Sequence, residues 1–203
     1  MPAAGADPVR ILAFGDSLTA GYGLPEAEGF PAQLEAALAA AGVEAEVING
    51  GVSGDTTAGG LARLDWALAD DPDVVILELG ANDGLRGLRP AETRANLDAI
   101  LTRLGEEGIA VLLAGMLAPP NLGREFGEAF NAMFPALAEE HGVAFYPFFL
   151  DGVATDPALN QPDGIHPNAA GVAVIVERIL PHLLAVIEDL DRPAAETAAG
   201  KQG

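Results

Sequence analysis

The sequence predicts an α/β protein, a three-layer α/β/α sandwich built on a five-stranded parallel sheet. Three observations carry that expectation. Short β-branched or apolar runs alternate five times with longer stretches of helical period. The central run, Asp73 to Gly80 (DVVILELG), is almost continuously apolar, as a strand covered on both faces must be. The chain has 203 residues and no internal repeat, which suits one domain with a sizeable core. Repeated strand–helix order with right-handed crossovers lays the strands parallel and covers both faces with helices.

The elements follow in order. VRILAF (residues 9–14) reads as the first strand. PAQLEAALAAAG (31–42) repeats Leu34, Ala37, Leu38 and Ala41 at helical steps and stops at Gly42, a glycine C-terminal signal. AEVING (45–50) is the second strand, and GGLARLDWALADD (59–71) a helix expected to turn Leu61, Leu64, Trp66 and Leu68 largely inward. After the central strand come a helix over 91–108, a strand over 109–117, a helix over 125–142 and a strand over 143–149. In that last strand Phe145, Tyr146, Phe148 and Phe149 read as core and pocket lining. A long final helix is expected from about Pro167 to Leu190, with Pro181 the candidate point for a bend. The domain therefore covers residues 9–190, between a flexible N-terminus (1–8) and a disordered tail (191–203).

Composition removes several functional classes. Ten basic residues stand against thirty acidic ones, a formal charge of −20, which repels nucleic acid and anionic membranes. A solubilising surface explains the acid most simply, with adaptation to saline conditions as a further hypothesis. The absence of cysteine excludes disulfides, thiolate metal sites and cysteine nucleophiles. The opening residues, MPAAGADPVR, lack the basic and apolar regions of a signal peptide. The compartment stays open: periplasmic or secreted if a signal was removed, otherwise cytoplasmic. The late stretch GVAVIVERILPHLLAVI, interrupted by Glu177, Arg178, Pro181 and His182, reads as too short and too polar to span a bilayer, and no stable membrane insertion is expected.

In a parallel sheet, every loop that follows a strand lies on the carboxyl edge, where ligands bind. Ser17 follows the first strand, Gly54 (GGVSGDT) the second, and Asn82 and Asp83 (GANDG) the third. LAPPNLG follows the fourth, and Asp163 and His166 (DGIHPN) follow the fifth. Of the three histidines, His141 closes a helix at the opposite edge and His182 lies far along the last helix. Only His166 is placed to reach Ser17. Asp163 can hold one imidazole nitrogen, which fixes the tautomer and leaves the other as base for the serine hydroxyl. Asp16 and Asp55 compete for that orienting role, and Asp163 leads on proximity. The backbone N–H groups of Ser17 and Gly54 and the Asn82 amide are the candidate donors to an oxyanion.

The segments GDSL, GVSGDT, GANDG and DGIHPN, in this order, resemble those of the SGNH (GDSL) hydrolases. The resemblance is nearest to the bacterial thioesterase I, lysophospholipase L1 and arylesterase branch and runs from about Val9 to Leu190. It implies a flavodoxin-like SGNH hydrolase fold, a triad of Ser17, Asp163 and His166, and an oxyanion hole of Ser17, Gly54 and Asn82. It also implies hydrolysis of acyl esters or thioesters without cofactor or metal, the partner being a small acyl ester. The stretches GLRGLRP and AGMLAPPNLG, with Arg86, Leu117, Ala118 and Pro119, are candidates for shaping the substrate pocket. Arg86 and Arg89 also suit an anion clamp or partners for surface acids.

Each residue has a plainer explanation when taken singly. Ser17 suits a helix N-cap, Asn82 and Asp83 a turn, Asp163 an Asx turn, and His166 a packed histidine before Pro167. All five would then share one edge by chance. A non-catalytic nucleotide- or flavin-binding module would need phosphate-cradling glycines, but GDSLTAGYG matches neither G-x-G-x-x-G nor a P-loop. The only lysine is Lys201, in the tail. A carbohydrate deacetylase or acyltransferase with the same triad stays open, as do oligomeric state and acyl length.

Overall fold

A computed structural model describes residues 7–190. The tail expected over 191–203, and all of the expected N-terminal segment but Asp7 and Pro8, lie outside the described residues. Five parallel strands form one sheet: β1 (Val9–Gly15), β2 (Ala45–Gly51), β3 (Val74–Glu78), β4 (Ala110–Ala114) and β5 (Ala144–Tyr146), in the order β2-β1-β3-β4-β5. The direction of travel reverses between β1 and β3, so the crevice at the carboxyl ends of these two strands is the switch point where such sheets bind ligands. Their register places Gly15 opposite Glu78. Ser17 and Asn82 leave the sheet from adjacent strands as a result.

The helices fall into two layers. α2 (Phe30–Ala40) packs on α7 (Ala169–Leu190), while α5 (Pro90–Glu106) packs between α3 (Thr57–Ala67) and α6 (Arg124–His141). Phe14, Phe30, Phe130, Phe134 and Phe149 are fully buried between these layers and the sheet. On α7, Val172, Ile175, Val176, Ile179, Leu183, Val186 and Ile187 are buried at helical spacing. By length and composition α7 is long and apolar enough to cross a membrane, which corrects the reading of this stretch as too short and too polar, and the stripe it buries against sheet and α2 explains its hydropathy.

The order of elements is as expected, with corrections at their ends. Two short helices at the carboxyl edge were not anticipated: α1 (Ser17–Ala20) and α4 (Ala81–Leu85). The final helix begins at Ala169, because Pro167 is held in a β-bridge with Asn160. Trp66 does not point inward; it is 79% exposed. α3 buries Thr57, Gly60, Leu64 and Ala67, a stripe stepping by three and four. Trp66 stands two residues from Leu64, about 200° round the helix, and so faces solvent.

Candidate active site

Ser17 is the first residue of α1, immediately beyond β1. It is not the cap of that helix; Asp16 is, its carboxylate accepting from the N–H of Leu18. The sharp passage from strand to helix leaves Ser17 half-buried at the sheet's edge. Its Oγ lies 3.0 Å from Nε2 of His166, although the two are 149 positions apart. The other ring nitrogen, Nδ1, lies 2.7 Å from Oδ2 of Asp163. With Nδ1 protonated toward that carboxylate, Nε2 is the acceptor for the serine hydroxyl.

The short loop at 163–166 builds this geometry locally. Oδ1 of Asp163 accepts from the N–H of Ile165 at 2.9 Å and of His166 at 3.0 Å, so the residue is an Asx turn and the histidine's partner at once. Gly164 makes the turn with a φ of +69°. The two backbone bonds, His166 first, and then the imidazole hold the Asp163 carboxyl down to about 2, so it stays charged through neutral pH. Nε2 of Gln161 donates to the carbonyls of Tyr22 and Pro167, tying this loop to the one after α1. The Tyr22 ring leans on the His166 ring, with centroids 4.5 Å apart.

Two further acids were candidates to orient His166, and both are engaged elsewhere. Asp55 is paired with Arg63 at 2.6 Å. Arg63 also donates to the carbonyls of Gly50 and Gly15 and covers the Phe14 ring, locking the ends of β1 and β2 to α3. Asp16 accepts from Nδ2 of Asn82 at 2.9 Å. His141 bonds Asp98 at 2.7 Å, and His182 meets the edge of Tyr146, so neither takes part in the site.

The three expected oxyanion donors lie on the segments that follow β1, β2 and β3. Gly54 sits in the loop before α3 with a φ of +84°, a left-handed conformation costly for any other residue. Its carbonyl accepts from Nη2 of Arg86 at 2.7 Å. Asn82 is the second residue of α4, and one of its two amide hydrogens is directed at Asp16. Asp83 is structural: its buried carboxylate accepts from Thr57 N–H and from the Thr57 and Thr93 hydroxyls, joining α4 to α3 and α5.

The proposed substrate residues divide. Arg86 donates to the Gly54 carbonyl and Arg89 pairs with Glu92, so each has a partner within the chain. Leu117 is exposed beyond β4, while Ala118 and Pro119 are half-buried, and the N–H of Ala118 is held by Asn131. Among the described residues, the exposed large apolar side chains other than Trp66 and Leu190 are Tyr22, Val52, Leu85, Leu88, Leu117 and Ile165. Each belongs to a segment beyond a strand's carboxyl end, and of them Tyr22 leans on His166 while Ile165 lies in the loop that carries it. Sequence reasoning missed Tyr22 and the link from Asp16 to Asn82. Their adjacency follows from strand order, which spacing alone does not supply.

This sheet order, with a serine, a histidine and an aspartate joined at its switch point, is the architecture of the SGNH hydrolases. The chain belongs to the GDSL-like Lipase/Acylhydrolase family, whose model matches residues 13–174. It is 43% identical over 174 residues to the Esterase TesA of Pseudomonas aeruginosa, covering 85% of this chain and 87% of that one. It is 40% identical over 176 residues to the Arylesterase of Vibrio mimicus, covering 86% and 88%. The crystal structure of TesA superposes with a TM-score of 0.83 at 42% identity, over 87% of this chain and 99% of that one. AlinE4, an SGNH-hydrolase family esterase, gives 0.77 at 47% identity, over 93% and 100%.

Proposed function

We propose that the protein hydrolyses carboxylic esters through an acyl-enzyme on Ser17. The observation that carries this is His166, bonded on one side to Ser17 at 3.0 Å and on the other to Asp163 at 2.7 Å. In the first half-reaction Oγ of Ser17 attacks the ester carbonyl carbon while its proton passes to Nε2 of His166. Asp163, charged throughout, keeps Nδ1 protonated and stabilises the imidazolium. The carbonyl oxygen becomes an oxyanion and takes hydrogen bonds from the N–H of Ser17, the N–H of Gly54 and the amide of Asn82. Collapse breaks the bond to the alcohol oxygen, which leaves with the proton from His166. Water then attacks the acyl-enzyme with His166 as base, releasing the acid and restoring Ser17.

The favoured substrates are neutral esters of short to medium acyl chain, aryl esters included. Exposed apolar side chains on the segments beyond the strands, Tyr22 against His166 among them, offer them contact, and the overall charge of −20 opposes a polyanion such as acyl-CoA. The two arginines able to offset that field, Arg86 and Arg89, already have partners. Acyl thioester hydrolysis is the second reading, favoured by 42% identity to the Escherichia coli protein named Thioesterase 1/protease 1/lysophospholipase L1. The test is kcat/KM for a neutral ester and an acyl-CoA of equal acyl length across a sodium chloride series. The ester should be preferred, and salt should raise acyl-CoA turnover proportionally more, because screening shortens from about 8 Å at physiological strength to about 3 Å at 1 M. An acyl-CoA preference that weakens with salt would replace the ester assignment with the thioester one.

A further inference from the structure

Asp16 is fully buried, although it is an acid in the turn directly before Ser17. Both of its oxygens have donors: Oδ1 accepts from the N–H of Leu18 at 3.0 Å, and Oδ2 from Nδ2 of Asn82 at 2.9 Å. Beside it lies a second fully buried acid, Glu78, at the end of β3. Oε2 of Glu78 accepts from the N–H of Asp16 at 3.2 Å and from the Thr19 hydroxyl at 2.8 Å, while Oε1 has no partner among the described residues. Glycine at 15 makes this packing possible, since a Cβ there would stand 2.1 Å from the Thr19 hydroxyl and 2.5 Å from Glu78 Oε2.

Two adjacent buried carboxyls cannot both be charged at neutral pH. Burial and then the charge of Asp16 drive the Glu78 carboxyl well above the ordinary carboxylate range, which favours its neutral form. Burial also pushes Asp16 up, to about 6, but the bonds from Leu18 and Asn82 and the nearby His166 favour its anion. Asp16 is therefore the charged member under alkaline assay conditions, and its bond to Asn82 is charge-assisted.

We propose that Asp16 is a positioning residue for the oxyanion hole: by bonding one amide hydrogen of Asn82, its buried carboxylate aims the other at the developing oxyanion. This rests on Asn82 being an oxyanion donor. The two hydrogens lie on one planar nitrogen, so fixing the direction of the first fixes that of the second. Without that bond the terminal amide torsion is soft, with no strong rotamer of its own. The bond also crosses the switch point, tying the donor that follows β3 to the nucleophile turn that follows β1.

The test is a double-mutant cycle on p-nitrophenyl butyrate hydrolysis with Asp16→Asn, Asn82→Ala and both together. Asn at 16 keeps the shape and can still cap Leu18, but it turns an amide hydrogen toward the amide of Asn82. Asp16→Asn should lower kcat by about tenfold or more with KM within about twofold, and the double variant should lie within about twofold of Asn82→Ala. Costs that multiply in the double variant, or wild-type kcat in Asp16→Asn, overturn the proposal. Wild-type kcat in Asn82→Ala instead overturns the donor role of Asn82, and the proposal with it. A measurement on the unaltered protein makes the test independent of how the Asp16 variant folds. Proton–nitrogen spectra should show the two Asn82 amide protons well separated, one displaced downfield by the carboxylate; a pair at the shifts of a free amide overturns the proposal.

Discussion

The guanidinium of Arg86 donates to the carbonyl oxygen of Gly54 at 2.7 Å, joining the segment beyond β3 to the loop beyond β2. That places Arg86 behind a proposed oxyanion donor and makes it a brace for the Gly54 loop. Removing it should loosen the loop in every reaction alike. Arg86→Ala should lower kcat by roughly two- to tenfold, the scale of one modest hydrogen bond. The factor should be the same for a neutral ester and for acyl-CoA. A rise in KM confined to acyl-CoA would return Arg86 to the role of anion clamp.

The Asp163 carboxylate holds the ring and, through two backbone bonds, the shape of its own loop. Asp163→Asn keeps the size but offers either a nitrogen donor to Nδ1 or the wrong tautomer to Ser17. A loss on the order of 10⁴ in kcat is expected, with the fold intact by circular dichroism. The same group sets an acid limit on stability. Its folded value, about 2, lies below its unfolded one, so its contribution is present above the unfolded value of about 3.9 and is lost as pH falls toward 2. The wild type and Asp163→Asn should therefore converge in Tm as pH falls through that window. A Tm difference that stays constant down to pH 2 would contradict the depressed carboxyl.

Glu78 has the opposite sign. Its folded value is raised, so its contribution is present below the unfolded value of about 4.3 and is lost as pH rises toward the folded one. Glu78→Gln keeps an oxygen for the Asp16 N–H and the Thr19 hydroxyl but has no proton to lose. The Tm of the variant relative to wild type should climb as pH is raised above the unfolded value of about 4.3. Parallel Tm curves would mean that Glu78 is not the neutral member of the pair.

Sequence period and turn residues sufficed for the five strands, the five long helices and the convergence of Ser17, Asp163 and His166 on one edge. Each of those rests on a feature that survives without tertiary context: apolar runs, helical spacing, and the rule that loops after parallel strands share an edge. What spacing could not give is the partner of each acid. Asp16 read as a rival to Asp163 for orienting His166, yet its carboxylate accepts from Leu18 and Asn82. Arg86 read as an anion clamp or a partner for a surface acid, whereas its acceptor is a main-chain carbonyl, which no side-chain pattern reveals.

Trp66 shows the same limit on a helix. It is expected inward with Leu61, Leu64 and Leu68, while its position two residues from Leu64 puts it on the outer face of α3. As the chain's single tryptophan, it should give red-shifted emission that is readily quenched by acrylamide. Trp66→Ala should change stability by no more than about 0.5 kcal/mol, whereas Leu64→Ala should cost about 2–5 kcal/mol. Blue-shifted, shielded emission would mean that α3 is rotated from the orientation described.

The central claim is that Ser17, activated by His166, carries the acyl group. A fluorophosphonate reacts only with an activated serine and leaves a permanent adduct, so intact mass and peptide mapping read the claim directly. One adduct per chain on Ser17 is expected, absent from Ser17→Ala and strongly slowed in His166→Ala, with ester turnover abolished in both folded variants. An adduct on another serine, or near-wild-type turnover by folded Ser17→Ala, would contradict the mechanism.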